Sequence, residues 1–299
     1  MSSCNNDRLV KEENYIMYIE EGFEVSKDIA NKRASELFAS IDESLSENEL
    51  LALKFYFAAM PLSDLADYNG DFFLENIRLS LRARNDYPWL KKLPDDIFLH
   101  FVLPIRVNNE NLDSFRLKYY DELKQRLVNI NDIEKAALEI NHWCHEKVSY
   151  QSADIRTSGP ESTLLSARGR CGEESTFTVA ALRTAGIPAR QVYVPRWAHS
   201  DDNHAWVEVW INGIWKYMGA CEPEAVLNRG WFTESASRAM LVHTRTFGKY
   251  FGNEKLINST GSYGEINNLE LYTDVKEIRL KVIDSEGGPV NNASVQFCQ

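Results

Sequence analysis

The sequence lacks several things that would decide its class at once. No apolar run approaches the ~18 residues that a membrane-crossing helix needs. There is no basic surplus: 44 acids against 33 bases leave a formal charge of -11. That disfavours a nucleic-acid partner, because phosphate binding draws its affinity from a positive surface and released counterions. There are five cysteines (Cys4, Cys144, Cys171, Cys221 and Cys298), widely spaced and with no CxxC. A zinc ribbon, a thioredoxin motif and a disulfide scaffold are thereby disfavoured. No HExxH pattern, internal repeat or low-complexity tract occurs.

What is present is a globular composition, with 44% hydrophobic and 26% charged residues over 299 positions, enough for about two domains. The first seven residues carry a lone cysteine, Cys4, among small and polar neighbours. They resemble the mature start of a bacterial lipoprotein, whose signal peptide has been removed; the alternative is an ordinary cysteine in a frayed terminus. The first reading implies membrane attachment through a lipidated Cys4 and a cell-envelope or secreted location.

Residues 1–128 are expected to form a helical N-terminal domain with a flexible start. Ser46 and Glu49 fit a capping box ahead of an apolar run that Pro61 stops. Residues 71–84, 95–103 and 111–127 repeat the helical apolar spacing, and their aromatics read as core. The next helix, 131–148, carries His142, Cys144 and His145 near its end. Adjacent helical positions face different ways, so these three make a poor ligand set, and no metal or cofactor is expected.

Residues 129–262 are expected to form an α+β core. Cys171 stands where a helix begins, after a Ser- and Thr-rich loop, and Gly186-Ile187-Pro188 ends that helix. Strands are expected at 189–194, 204–210 and 214–218, the last two joined by an Asn212-Gly213 hairpin. In the 204–210 strand, Ala205, Val207 and Val209 alternate with Trp206, Glu208 and Trp210, as in a half-buried strand. Residues 259–268 read as a polar linker. Residues 270–299 read as the start of a β-sandwich continuing past residue 299, with a turn at 287–289.

A thiolate, not a thiol, is the nucleophile in cysteine chemistry. A helix N-terminus and a neighbouring imidazole each favour the anion, and Cys171 and His204 offer both. Spacing alone leaves two readings: a nucleophile with its base, or a structural cysteine and a surface histidine. His199, in the loop before His204, is a second candidate base. Trp197, Trp206 and Trp231 are candidate substrate-binding residues, and Trp210 and Trp215 crowd the same region. Cys221 reads as a second reactive thiol or as a small buried residue.

Three motifs, Gly169-Arg170-Cys171-Gly172-Glu173, Gly186-Ile187-Pro188-Ala189-Arg190 and His204-Ala205-Trp206-Val207-Glu208-Val209, resemble the core of the transglutaminase-like superfamily. The resemblance covers about residues 131–247 and is strongest to bacterial transglutaminase-like proteins and to peptide:N-glycanase. It implies a papain-like fold, a Cys-His-acid triad, and acyl transfer on a peptide, glycopeptide or protein amide. Cys171 matches the nucleophile and His204 the base. The position where the family usually carries an aspartate holds Gly219. Glu222 is the nearest carboxylate and is the candidate third member; Glu208, on the histidine's own strand, reads as structural. Two functions follow: a cysteine-dependent amide hydrolase or acyltransferase of protease or amidase type, or a catalytically decayed binding or structural module of the cell envelope. The expected envelope location and the absence of calcium-type loops favour hydrolysis over cross-linking.

Overall fold

The computed structural model describes residues 8–152 and 157–295. Cys4 and Cys298 lie outside the described residues, and with them the reading of a lipidated N-terminus.

The N-terminal part is helical, as the spacing predicts: α1 (Glu13–Ile29), α2 (Ala34–Leu37), α3 (Glu47–Ala59), α4 (Leu62–Asp67), α5 (Gly70–Asp86), α6 (Asp95–Phe101) and α7 (Phe115–Arg126). The capping box forms. Ser46 Oγ accepts from Glu49 N–H at 3.3 Å, and the Glu49 carboxylate accepts from Ser46 N–H at 2.8 Å. Helix α3 buries residues around its whole circumference, including Leu51, Leu53, Phe55, Tyr56 and Phe57, so it runs through the interior.

The chain continues through α8 (Ile133–Lys147), β1 (Ser149–Tyr150), α9 (Pro160–Ser166), β2 (Arg168–Gly169) and α10 (Cys171–Thr184). Strands β3 (Ala189–Val194), β4 (His204–Ile211) and β5 (Ile214–Met218) follow, then α11 (Thr233–Ala236), β6 (His243–Phe247), β7 (Leu256–Ser259) and β8 (Tyr263–Asn267). The last six strands make one antiparallel sheet, β5-β4-β3-β6-β8-β7, so the fold is α+β. Asn212 and Gly213, at φ 50° and 102°, turn the β4–β5 hairpin, as a two-residue primed turn requires.

Helix α10 packs on β3 and β4 and is buried from Glu173 to Thr184. One continuous apolar cluster joins α1, α3 and α5 to α8, α10 and β4. Two buried arginines pin the segment between α6 and α7. Arg116 donates to the carbonyls of Val102 and Leu103 at 2.9 and 2.7 Å, and Arg183 to those of Pro104 and Arg106 at 3.2 and 2.9 Å. Carbonyl acceptors are what make such burial tolerable for a guanidinium.

Three expectations change. Strand β4 is buried on both faces apart from Trp210. Its second face is covered by the 268–272 segment and a buried ion-pair network, neither visible in local alternation. The expected polar linker, 259–268, instead holds the last residue of β7 and all of β8. Gly264 and Ile266 face inward while Tyr263 and Glu265 are half exposed, and the strand is held by backbone pairing to β6. In the tail, residues 276–282 form no ladder among the described residues, and Ile278 and Leu280 stand exposed. The turn expected beyond them is present, with Asp284 N–H bonding Gly288 O at 2.9 Å.

Candidate active site

Cys171 is the first residue of α10, and its placement is set by the residues before it. Strands β1 and β2 pair in parallel, and Gln151 N–H bonds Gly169 O at 2.8 Å. A Cβ at Gly169 would stand 2.8 Å from the Glu173 Cβ, so only glycine allows this approach. Glu173 then closes the first turn. Its carboxylate accepts from Arg170 N–H at 3.0 Å and from Arg170 Nε at 3.1 and 3.2 Å.

Backbone N–H groups of Gly172 and of Ala205, the residue after His204, are close enough to the Cys171 sulfur to favour its thiolate. Cys171 thus lies beside the start of β4, where His204 pairs with Val194. Burial is the dominant influence on the thiol and raises its pKa above the ordinary value; the two N–H groups and the Arg170 guanidinium pull the other way. The helix-start argument expects a net lowering, and desolvation reverses it.

His204 sits in an aromatic box. Its ring centroid lies 4.7 Å from Trp231, 5.2 Å from Phe232, 5.8 Å from Trp206 and 6.0 Å from Trp197. Desolvation pushes its pKa down to about 4, so the imidazole is neutral at ordinary pH. Its Nε2 is buried with no hydrogen-bond partner among the described residues.

The loop after β5 folds back on itself. Gly219 and Glu222 bridge across a turn with Cys221 at φ 56°. A Cβ at Gly219 would lie 2.6 Å from Glu222 Oε2. The Glu222 side chain therefore occupies the space that a side chain at position 219 would enter. Its carboxylate accepts from Trp231 Nε1 at 3.0 and 3.2 Å, and no hydrogen bond joins it to His204 among the described residues. Burial raises its pKa, partly offset by the Trp231 bond. Direct orientation of His204 by Glu222 is thus absent, and the contact between them runs through the Trp231 ring.

Cys171, His204 and Glu222 line one cavity together with Tyr150, Glu174, Trp197 and Trp231. Across Cys171 a second cavity is lined by Asn108, Gln191, Tyr193, His243 and Arg245, so a cleft runs to both sides of the thiol. Of the three tryptophans expected at the substrate, Trp197 and Trp231 line the cavity and Trp206 does not. Trp206 is fully buried, with its Nε1 donating to Tyr272 OH at 2.7 Å, and it backs the imidazole. His199 also lines the cavity, stacked on Trp197.

The remaining candidates are structural. Glu208 is buried and accepts from Arg190 Nε at 2.6 Å, Tyr272 OH at 2.6 Å and Asn268 Nδ2 at 2.7 Å. His142 is exposed, Cys144 is buried, and His145 Nδ1 is 2.8 Å from the Cys221 carbonyl oxygen. Among the described residues no group of three or more His, Cys, Asp or Glu is arranged for a metal ion. Cys144 and Cys221 are free buried thiols in mutual contact, and burial raises the Cys221 pKa well above its ordinary value.

Glu174 was not among the residues singled out by the sequence. It stands three residues after Cys171, and that spacing on a helix shares a face with the nucleophile. This was the available signal.

Comparisons with known proteins agree with the motifs. Residues 121–220 match the model of the Transglutaminase-like superfamily, so this region is a transglutaminase-like domain. A 106-residue stretch is 27% identical to an uncharacterized protein of Mycobacterium leprae (strain TN), covering 31% of this chain and 37% of that protein. The crystal structure of a protein from Cytophaga hutchinsonii, described as a "Putative Cysteine Protease", superposes with a TM-score of 0.36 at 18% identity, over 61% of this chain and 66% of that one. The chain thus spans just over a third of the length of its curated relative.

Proposed function

We propose that the protein is a cysteine-dependent amide hydrolase or acyltransferase in which Cys171 is the nucleophile and His204 the base. The observation that carries this reading is the convergence of both residues on one cavity, where the start of α10 meets the start of β4. The resting pair is a neutral thiol and a neutral imidazole. In the first step Sγ bonds the amide carbon, the thiol proton passes to His204, and the carbonyl oxygen becomes an oxyanion near the backbone N–H groups at the start of α10. His204 then returns the proton to the nitrogen as the C–N bond breaks, and the amine leaves. Water, or a second amine, attacks the thioester while His204 takes its proton; the thiol re-forms on release. Glu222 acts as a positioning residue, fixing Trp231 against the His204 ring. Substrates are peptide, glycopeptide or protein amides presented along the cleft. Lipidation of Cys4 and attachment to the cell envelope belong to the same proposal; incorporation of labelled palmitate into the full chain, absent in Cys4→Ser, is the expected result.

A second reading, a decayed binding module, is favoured by one observation: His204 Nε2 has no partner where a triad would supply one. The experiment that separates the two is acetylation by p-nitrophenyl acetate, followed by intact mass. The enzyme reading expects acetyl transfer to Cys171 with turnover, slowed about 10²–10⁴-fold in His204→Ala. Acetylation of Cys171 at an equal rate in His204→Ala would leave the binding module as the better reading.

A further inference from the structure

We infer that the substrate carries a primary ammonium group beside the scissile amide, received by the carboxylates of Glu174 and Glu222 on the His204 side of Cys171. The inference rests on the acyl-transfer reading and names its substrate class.

Two adjacent glutamates follow Cys171 with opposite fates. Glu173 and Glu174 are equally buried, each 3% exposed. Glu173 is consumed by Arg170, through both the side chain and the main chain. The Glu174 carboxylate has no hydrogen bond or ion pair among the described residues, and it lines the cavity that holds Cys171 and His204. Burial disfavours an ionised carboxylate, and among the described residues no donor offsets that cost, so a ligand entering the cavity is expected to supply one.

The chemistry of the walls selects the donor. Glu222 lies on the same cavity and is close enough to raise the Glu174 pKa, with burial the larger cause; together they push it up to about 8. A cation between the two carboxylates would relieve both burial and mutual repulsion. Trp197 and Trp231 face the same space, and an aromatic wall beside a carboxylate suits an alkylammonium through its π face. An ammonium also brings three donors, enough for Glu174, which has none among the described residues, and for Glu222, which has only the Trp231 indole N–H. The Arg170 guanidinium on this cavity is already matched by Glu173. Asp202, at the rim, adds charge of the attracting sign.

The test uses methanethiosulfonate reagents that differ only in their tail: ethylammonium, hydroxyethyl and ethylsulfonate. Each rate of disulfide formation at Cys171 is measured by intact mass and peptide mapping, and is divided by the rate with 2-mercaptoethanol. The ammonium reagent is expected to outpace the neutral one by about tenfold or more, and the sulfonate to lag behind both. Glu174→Gln, Glu222→Gln and their double variant are expected to bring the ratio toward one. A control, Glu21→Gln with Glu43→Gln, makes the same two substitutions at exposed helix and loop positions and is expected to leave the ratio unchanged. Thermal unfolding establishes that each variant folds. Protection of Cys171 by glycinamide assigns the ammonium to a chain terminus, and protection by Nα-acetyl-lysine amide assigns it to a side chain. A native ratio near one, a ratio insensitive to both glutamine changes, or one equally sensitive to the control overturns the inference. That result with His204-dependent acetylation intact removes the ammonium site alone. Loss of His204-dependent acetylation removes the reading beneath it, whatever the charge ratio.

Discussion

Two groups of buried polar side chains meet the same strand at different points along it, and they are finished to different degrees. Around Glu208, Arg190 donates to Glu208 at 2.6 Å and to Glu254 at 2.8 and 3.0 Å, and its guanidinium lies 3.8 Å over the Trp215 ring. Glu208 takes two further bonds, from Tyr272 and Asn268. Around His204, among the described residues, the Glu174 carboxylate has no hydrogen bond or ion pair, His204 Nε2 has no partner, and the Glu222 carboxylate accepts only from an indole N–H. Histidines repeat the contrast. His100 and His204 are both pushed down to about 4 by burial, but both His100 nitrogens are bonded, to Phe247 O at 2.8 Å and Tyr15 OH at 2.9 Å. Burial by itself therefore does not mark function here. A charge buried with its partners holds the fold together, whereas one buried without them keeps a cost that only a ligand can remove.

The strongest way to break this contrast is to damage the finished side. Glu208→Ala leaves Arg190 short of its buried counter-charge and is expected to cost about 3–5 kcal/mol of stability in urea unfolding. A loss below about 1 kcal/mol would show that the network is dispensable and the contrast empty. His204→Ala is the counterpart, expected to spend its effect on acetylation and little on unfolding.

Glu174→Gln sharpens the unfinished side. Its folded pKa, about 8, lies above the ordinary 4.5, so between these values the folded state keeps a proton that the unfolded state gives up. The stability it contributes is fully present below pH 4.5 and lost as pH rises through 8. The variant is expected to flatten that decline, by on the order of 1–2 kcal/mol after allowance for solvent screening at the cavity. Parallel pH–stability curves for native and variant would sink the assignment.

The smallest effect belongs to a position remote from both groups. Ser46→Ala removes the α3 cap and is expected to cost about 0.5–2 kcal/mol, with acetylation of Cys171 unchanged. A change in acetylation there would mean that the helical part communicates with the cleft.

Much of the fold could be read locally. The Ser46 cap, the start of α10 at Cys171, strand β3 and the Asn212-Gly213 hairpin depend on a few consecutive residues. The motifs and their order point to Cys171 and His204 as neighbours, and both line one cavity. The second covering of β4 was not, because it comes from 268–272, about sixty residues away. Trp206 was placed at the substrate for the same reason, since its partner, Tyr272, is distant in sequence. Glu222 was chosen for its nearness to Gly219. The loop does bring it there, but into the reach of Trp231 rather than His204.

The sequence by itself determined which residues begin, end and turn the central elements, because caps and primed turns are set by side chains and φ values within a few residues. It also determined that a thiol stands at a helix start and an imidazole at a strand start. The tertiary structure alone decided the charge state of both. Desolvation sums over everything packed around a group, and at Cys171 it outweighs the local helix-start effect that the sequence shows. It also decided which buried carboxylates found partners. Glu173 and Glu174 are neighbours in the chain, equally buried, and chemically identical; only the fold distinguishes the one that is spent from the one left facing the cleft.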